Sequence, residues 1–363
     1  MTSTSFASED PFAPKDVYLD ANGTTKLHPT IVSSISHTLS TCFGNPATHS
    51  PSGIASSKTM EKAERSVLVN MLGVPSSSEN TGEIIWTACG TESDNLAITI
   101  AIEGWNYRNN NNDNQSSLRK TPHVISCTTE HPAILKFLHC LKKEGRLSLT
   151  LVGPSPSSGT VSSSSIIDAI TAETALITLM VANNETGLIN DVSSISKAVK
   201  GLYPDIVFHT DAAQACGKMD CSIRSDSPIG SNTDMITLVG HKFSCPKGIA
   251  CLYLTPQYIA MVDGVPGMKE CLTNGGSGVS MLGGGQCNGW RSGTPNVPYI
   301  VGFGAAAALL AGVKDSEFFD SSDEINKTME LSNLMKHCNK VKQAMIDAIT
   351  EELGGRDSID RIR

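Results

Sequence analysis

Residues 234–249 read DMITLVGHKFSCPKGI, which sets a lysine, Lys242, directly behind an apolar run. Lysine is almost never buried without a partner. Alone it reads as a surface residue at a strand terminus; in a cleft its amine is a candidate nucleophile. A second segment, HTDAAQACGK (209–218), puts Asp211 behind another apolar run and Gln214 three residues on. A carboxylate there is costly unless it faces a cation or a cleft, although a helix N-cap is an equally good reading. TACGTESDNLAI (87–98) ends a strand, turns through Gly90 and Thr91 and enters a helix. Backbone N–H groups and the helix dipole make such a junction a natural anion cradle. It matches neither GxxxxGK[ST] nor GxGxxG, which disfavours a nucleotide. TTEHPAIL (128–135) places His131 past a strand end, as a cap or a core residue, and ANNETG (182–187) does the same for Asn183, Asn184 and Glu185, where turn chemistry would explain both asparagines. Each feature has a structural explanation by itself. Their shared position at strand ends makes independent explanations less economical.

One cofactor would use them all. Pyridoxal phosphate needs a lysine for its Schiff base and an acid at its ring nitrogen. It also needs an anion site and favours an aromatic ring on its face. Lys242 would supply the amine and move protons, and ionised Asp211 would keep the ring nitrogen protonated. Gln214 would reach the ring hydroxyl.

The elements that must position these groups alternate in kind. EIIWTA (83–88), HVISCT (123–128), TALITLMVA (174–182), IVFHTDA (206–212), DMITLVG (234–240) and IACLYL (249–254) are near-continuous apolar runs, as in strands covered on both faces. Helical patterns lie at 58–73, 92–107, 132–145 and 192–203, with an apolar helix near 301–313 and a long one over 323–353. The alternation predicts an α/β fold with its site at the carboxyl ends of the strands. The stretches 106–120, 153–165 and 264–286, rich in asparagine, serine and glycine respectively, read as loops.

Composition narrows the function. The 363 residues suffice for a large core. With 28 basic against 36 acidic residues and a net charge of -8, nucleic acid is not the expected partner. No apolar run approaches the ~18 residues of a membrane span. The N-terminal segment MTSTSFASEDPFAPKD has neither an apolar core nor an arginine, so a cytoplasmic location is expected. The 11 cysteines show no CxxC and no metal-ligand spacing, so no metal is expected.

The chain resembles the cysteine desulfurase and selenocysteine lyase group of class V aminotransferase-fold enzymes. The resemblance runs in order through VYLDANGTTKLHP (17–29), GNPATHSPSG (44–53), TACGTESDNLAI, TTEHPAIL, ANNETGLI, HTDAAQACGK, GHKFSCPKGIACLYL and GGGQCNGWRSGTPNVPYIVGFG (283–304). LMVANNETG, TLVGHKF with Val239, and the polar insertion at 106–120 look closer to selenocysteine lyases. The resemblance implies a fold type I pyridoxal-phosphate enzyme. It implies a large domain over 30–314 with a mostly parallel seven-stranded sheet flanked by helices. An N-terminal segment over 1–29 precedes it, and an incomplete small C-terminal α+β domain over 315–363, its first helix only, follows. It further implies that Lys242 holds the cofactor and that His131 stacks on the ring and shuttles protons. Asp211 and Gln214 contact ring nitrogen and hydroxyl, and Asn184 lies near ring and substrate. Gly90, Thr91 and His241 bind phosphate, Thr294 reaches in from a partner subunit, and Asn22 lines the substrate side. The implied reaction takes selenium or sulfur from selenocysteine or cysteine and leaves alanine, in a homodimer, with an acceptor protein as a further partner.

Three departures stand out. Ala88 and Cys89 occupy positions where the group carries serine and glycine, so strain is expected at Cys89 if the turn needs φ > 0. Cys245 replaces a common glycine. The group's nucleophilic cysteine loop and its substrate-carboxylate arginine belong several dozen residues beyond RSGT, and neither is found; Cys338 on the long helix is read as packing or surface. The chain is therefore expected to be truncated, to bind cofactor, to desulfurate poorly and to expose apolar surface on the 323–353 helix. The alternatives are a cofactor-binding regulatory dimer subunit and another class V fold enzyme.

Overall fold

The computed structural model describes residues 18–110, 120–273, 281–313, 318 and 331–352. The segment before Tyr18, most of the 106–120 insertion and much of 315–363 lie outside the described residues, as does the Cys338 side chain.

Seven strands form one sheet in the order β1 (Glu83–Thr87), β7 (Ala250–Leu254), β6 (Met235–Val239), β5 (Val207–Asp211), β4 (Thr174–Thr178), β2 (His123–Cys127), β3 (Ser148–Val152). The pairs β6–β5, β5–β4, β4–β2 and β2–β3 are parallel, and β7 runs antiparallel to both β1 and β6. Two reversals about β7 leave β1 pointing the same way as β6. The carboxyl ends of β1, β2, β4, β5 and β6 therefore share one edge.

Successive side chains on each strand serve opposite faces. Ile85, Val124, Val207 and Met235 enter one core with Leu96, Ile100 and Leu138, from α3 (Gly90–Asn110) and α4 (Pro132–Lys143). Trp86, Ile125, Phe208 and Ile236 enter the other. That second core takes Ile31 and Ile35 from α1 (Pro29–Thr41), Ala63 from α2 (Pro51–Ser66), Ile195 and Val199 from α6 (Val192–Leu202), and Phe303 from α9 (Val297–Leu310). Burial on both faces is why six of the strands read as continuous apolar runs.

Five elements escaped the sequence pattern. Edge strand β3 alternates Ser, Leu, Thr, Leu, Val because it is only half buried. Helix α1 is rich in Ser and Thr, weak helix formers. Its start is set by Pro29 and by His28 Nδ1, which accepts from Thr30 N at 3.3 Å. Helix α5 (Ser163–Asp168) begins inside the stretch expected to be a serine-rich loop; Ser162 Oγ caps it by accepting from Ser165 N at 3.1 Å. Helices α7 (Pro256–Asp263) and α8 (Met268–Thr273) follow β7, α8 inside the stretch read as a glycine-rich loop. The helix expected over 58–73 starts earlier, at Pro51 behind the Ser50 cap, and continues as a π-turn over Val67–Met71.

Helix α10 (Leu331–Glu352) occupies the expected long pattern and leaves Val341, Met345 and Ile349 exposed. No helix among the described residues is long and apolar enough to cross a membrane.

Candidate functional site

The shared strand edge opens into a cavity of about 470 Å³. On its wall, β1 runs into α3 through Ala88 and Cys89. Cys89 O accepts from Glu92 N at 3.1 Å and from Ser93 N at 3.2 Å. The N–H groups of Gly90 and Thr91 lie in the first turn, where a helix offers no acceptor. Both residues line the cavity, where such a turn can cradle an anion. Cys89 is not among the described residues with positive φ, so the strain expected there is absent. Gly90 is needed for another reason: a Cβ on it would lie 2.7 Å from Val239 Cγ2. Gly90→Ala is expected to cost about 1–2 kcal/mol of stability through this overpacking, and Val239→Ala should restore part of it; urea denaturation of the single and double variants checks both.

Glu92 would place a negative charge beside this cradle. It is neutralised by Arg291, whose Nε lies 2.8 Å from Glu92 Oε1. Glu92 Oε2 accepts from Ala88 N at 2.7 Å, so the backbone of the turn is held without a side-chain hydroxyl at that position.

Lys242 ends a 3₁₀ turn, Gly240–Lys242, that continues β6. The following residue, Phe243, anchors it: its ring meets Phe303 edge-on at 4.8 Å. Gly217, at φ 70°, admits Phe243, whose Cβ would lie 2.6 Å from a Cβ there. Ser244 is left-handed at φ 70°, held by Thr25 Oγ1, which accepts from its N–H at 2.7 Å. Lys242 Nζ donates to the carbonyls of Asn22 at 2.7 Å and Gly23 at 2.9 Å, so the segment around Asn22 straps over the amine. Burial lowers the Lys242 pKa, while the Asp211 and Asp20 carboxylates pull it up. Burial, with Lys242 and Lys247 nearby, also lowers His241, which is therefore neutral; its Nδ1 meets Thr24 Oγ1 at 3.2 Å.

Asp211, at the end of β5, is 5% exposed, and Oδ1 accepts from Ala213 N at 2.8 Å. Among the described residues it has no ion pair. Burial raises its pKa, with the Ala213 N–H, His131 and Lys242 opposing. A cation in the cavity would therefore be strongly favoured beside it. Asp94, one turn into α3, lines the same cavity, is buried, and leaves Oδ1 without a hydrogen-bond partner among the described residues. Burial and then Asp211 push it well above the usual carboxylate range. Its nearest cation candidate, His209, is 3.9 Å away and pushed down to about 3 by burial, hence uncharged. A third buried acid, Glu130, accepts from Met180 N at 2.5 Å, and burial raises it too. The proton-holding member of the Asp94–Asp211 pair is then Asp94, because the positive groups stand on the Asp211 side.

His131 caps α4, its Nδ1 accepting from Ala133 N at 3.1 Å, and the residue also lines the cavity. Asn184 also lines it, and its carbonyl accepts from Asn22 Nδ2 at 3.1 Å. Asn183 is the turn residue, accepting from Glu185 N and Thr186 N.

Nine of the ten expected site residues, Asn22, Gly90, Thr91, His131, Asn184, Asp211, Gln214, His241 and Lys242, converge on this cavity. Thr294 does not; it is exposed outside the lining. Asp94 and Arg291 were not singled out from sequence. Asp94 could have been, since it lies one turn beyond Gly90 on the same helix face. Among the described cysteines only Cys89 lines the cavity.

The Aminotransferase class-V family model matches residues 17–343, and the chain belongs to that family. It is 32% identical over 324 residues to a selenocysteine lyase of Bos taurus, covering 84% of this chain and 67% of the relative. It is 36% identical over 293 residues to a cysteine desulfurase of Nostoc sp., covering 81% of this chain and 62% of the relative. A solved structure of SspA in complex with cysteine aligns with TM-score 0.63 and 29% identity over 80% of this chain and 72% of that one. The chain thus spans about two thirds of the length of these curated relatives.

Proposed function

We propose that this chain binds pyridoxal phosphate and, with it, removes selenium from selenocysteine or sulfur from cysteine, leaving alanine. The observation that carries the reading is a single cavity in which the amine of Lys242 and the buried carboxylate of Asp211, which has no ion pair among the described residues, stand with the first turn of α3. That donor set fits the group. The N–H groups of Gly90 and Thr91, with His241, would take its phosphate, Asp211 its protonated ring nitrogen, Gln214 its ring oxygen and Lys242 its aldehyde carbon. When bound, the cofactor supplies an electron sink that stabilises negative charge at the substrate's α-carbon.

The protein's own groups do the rest. Lys242 Nζ, released from the Asn22 and Gly23 carbonyls, takes and returns a proton at the α-carbon. His131, its Nδ1 engaged in the cap bond, would stack on the cofactor's ring and shuttle protons. Asn22 and Asn184, tied to each other, bound the substrate side. The names of the relatives and the bound cysteine of the solved neighbour support this substrate class. A homodimer in which Thr294 of each copy completes the other's phosphate site, and an acceptor protein for the released sulfur or selenium, belong to the same proposal.

The test is an absorbance spectrum of the purified chain with added pyridoxal phosphate, followed by borohydride reduction, peptide mapping and an alanine assay with both substrates. A reduced adduct on Lys242 is expected, with slow alanine formation from either amino acid. A folded chain that takes up no cofactor at excess sinks the reading.

A further inference from the structure

Gln214 brings two opposite atoms to the cavity, an amide oxygen and an amide NH2. Which of them a ligand meets decides what oxygen or nitrogen can bind there. Electron density rarely distinguishes the two ends, so the assignment comes from the hydrogen-bond network. Here the network is decided by a lysine that the cavity does not contain.

Lys218 Nζ lies 2.5 Å from Gln214 Oε1 and 3.0 Å from Asn22 Oδ1. An ammonium has three donors and no acceptor. Both amides must therefore turn their oxygens to Lys218 and their nitrogens away from it. The rest of the chain of bonds agrees. Gln214 Nε2 donates to the Asn22 carbonyl at 3.0 Å, and Asn22 Nδ2 donates to the Asn184 carbonyl at 3.1 Å. One Gln214 N–H is used by Asn22, and the amide nitrogen has a second. Gln214 is 9% exposed and lines the cavity, whereas Lys218 does not line it.

We propose that Lys218 is a positioning residue: by holding Gln214 Oε1 it fixes Gln214 as a hydrogen-bond donor toward the cavity, and so selects a ligand that carries an acidic ring oxygen there. With the amide reversed, a carbonyl lone pair would face that oxygen and repel it. The inference rests on the pyridoxal phosphate reading for the identity of the ligand. The same lysine also pins Asn22, the residue whose carbonyl receives Lys242 Nζ.

The experiment is a binding cycle that needs no turnover. Dissociation constants for pyridoxal phosphate and its 3-deoxy analogue, which lacks the ring hydroxyl, are measured by fluorescence quenching. The proteins are the wild type, Lys218→Met and Lys218→Arg, with melting temperatures recorded for each. The wild type is expected to prefer the hydroxylated ligand by about fivefold, the effect of one ordinary hydrogen bond. Lys218→Met should lose most of that preference while binding the deoxy analogue nearly as well as the wild type does. Lys218→Arg, also a pure donor, should keep the preference; a general loss of structure would instead weaken both ligands alike. A Lys218→Met protein that retains the full preference overturns the inference. So does a Lys218→Arg protein that folds yet loses it, which also decides the matter if the methionine variant does not fold. If the wild type itself binds neither ligand, the cofactor reading fails first, and that outcome is visible before any variant is made.

Discussion

Lys242→Ala is expected to abolish borohydride-trapped cofactor and to lower alanine formation by about 10³-fold or more. The loss combines the covalent attachment with the proton transfers of the same amine. The cavity offers no substitute: Lys242 is the lysine that lines it, and Lys218 stands outside with its ammonium on two amide oxygens. Lys242→Arg should fail almost as badly, since a guanidinium stays charged and cannot condense with an aldehyde. Burial lowers the Lys242 pKa from 10.5, so the free amine becomes available at a lower pH than on an exposed lysine. Trapping rate against pH should therefore rise with a midpoint below that of a surface lysine. Both substitutions leave the Phe243–Phe303 contact and the sheet intact, so their melting temperatures should stay close to wild type. Trapped label on a lysine elsewhere in the Lys242→Ala protein would move the cofactor site away from β6.

Much of this site was legible because its chemistry sits where strands end. An apolar run five residues long followed by a polar group is visible in any sequence buried on both sheet faces, and it marks Lys242, Asp211, Asn184 and His131 alike. Two kinds of feature were not legible. The first depends on what the partner surface does. Edge strand β3 is half exposed and loses the continuous pattern; α1 and α5 are built from Ser and Thr and owe their starts to single caps at His28 and Ser162. The second depends on distance in space. Arg291 neutralises Glu92 from 199 residues away, and the strap over Lys242 comes from more than 200 residues upstream. Cys89 shows the opposite error, in which a residue type suggested strain that the turn does not contain. The spacing of Asp94 from Gly90 was legible, but its raised pKa was not, because that depends on the fold burying it beside Asp211.

Glu64→Gln is expected to stabilise the protein above neutral pH by roughly 3 kcal/mol relative to its effect in mild acid. Glu64 sits on α2, and its Oε1 accepts from Trp86 Nε1 at 2.7 Å; Trp86, on β1, meets Phe303 edge-on at 5.3 Å. Burial raises the Glu64 pKa from 4.5 to about 7, the Trp86 bond opposing and Glu61 adding to the rise. A carboxyl whose folded pKa lies above its unfolded value contributes stability that is complete below about 4.5. That contribution is lost as pH climbs through 7, because the fold must then bury a charge. Glutamine keeps an acceptor oxygen for the Trp86 N–H and never ionises, so its difference from the wild type should be small at pH 5 and should grow to pH 8.5. Urea unfolding of both proteins at those two values isolates the effect, since every other titrating group is common to the pair. The consequence reaches the site, because β1 carries the Cys89–Gly90 turn: the variant should retain added pyridoxal phosphate at alkaline pH longer than the wild type does. A stability difference that stays flat from pH 5 to 8.5 would mean that Glu64 is solvated in the folded protein, and that Trp86 rather than the carboxyl charge governs the joint between α2 and the sheet.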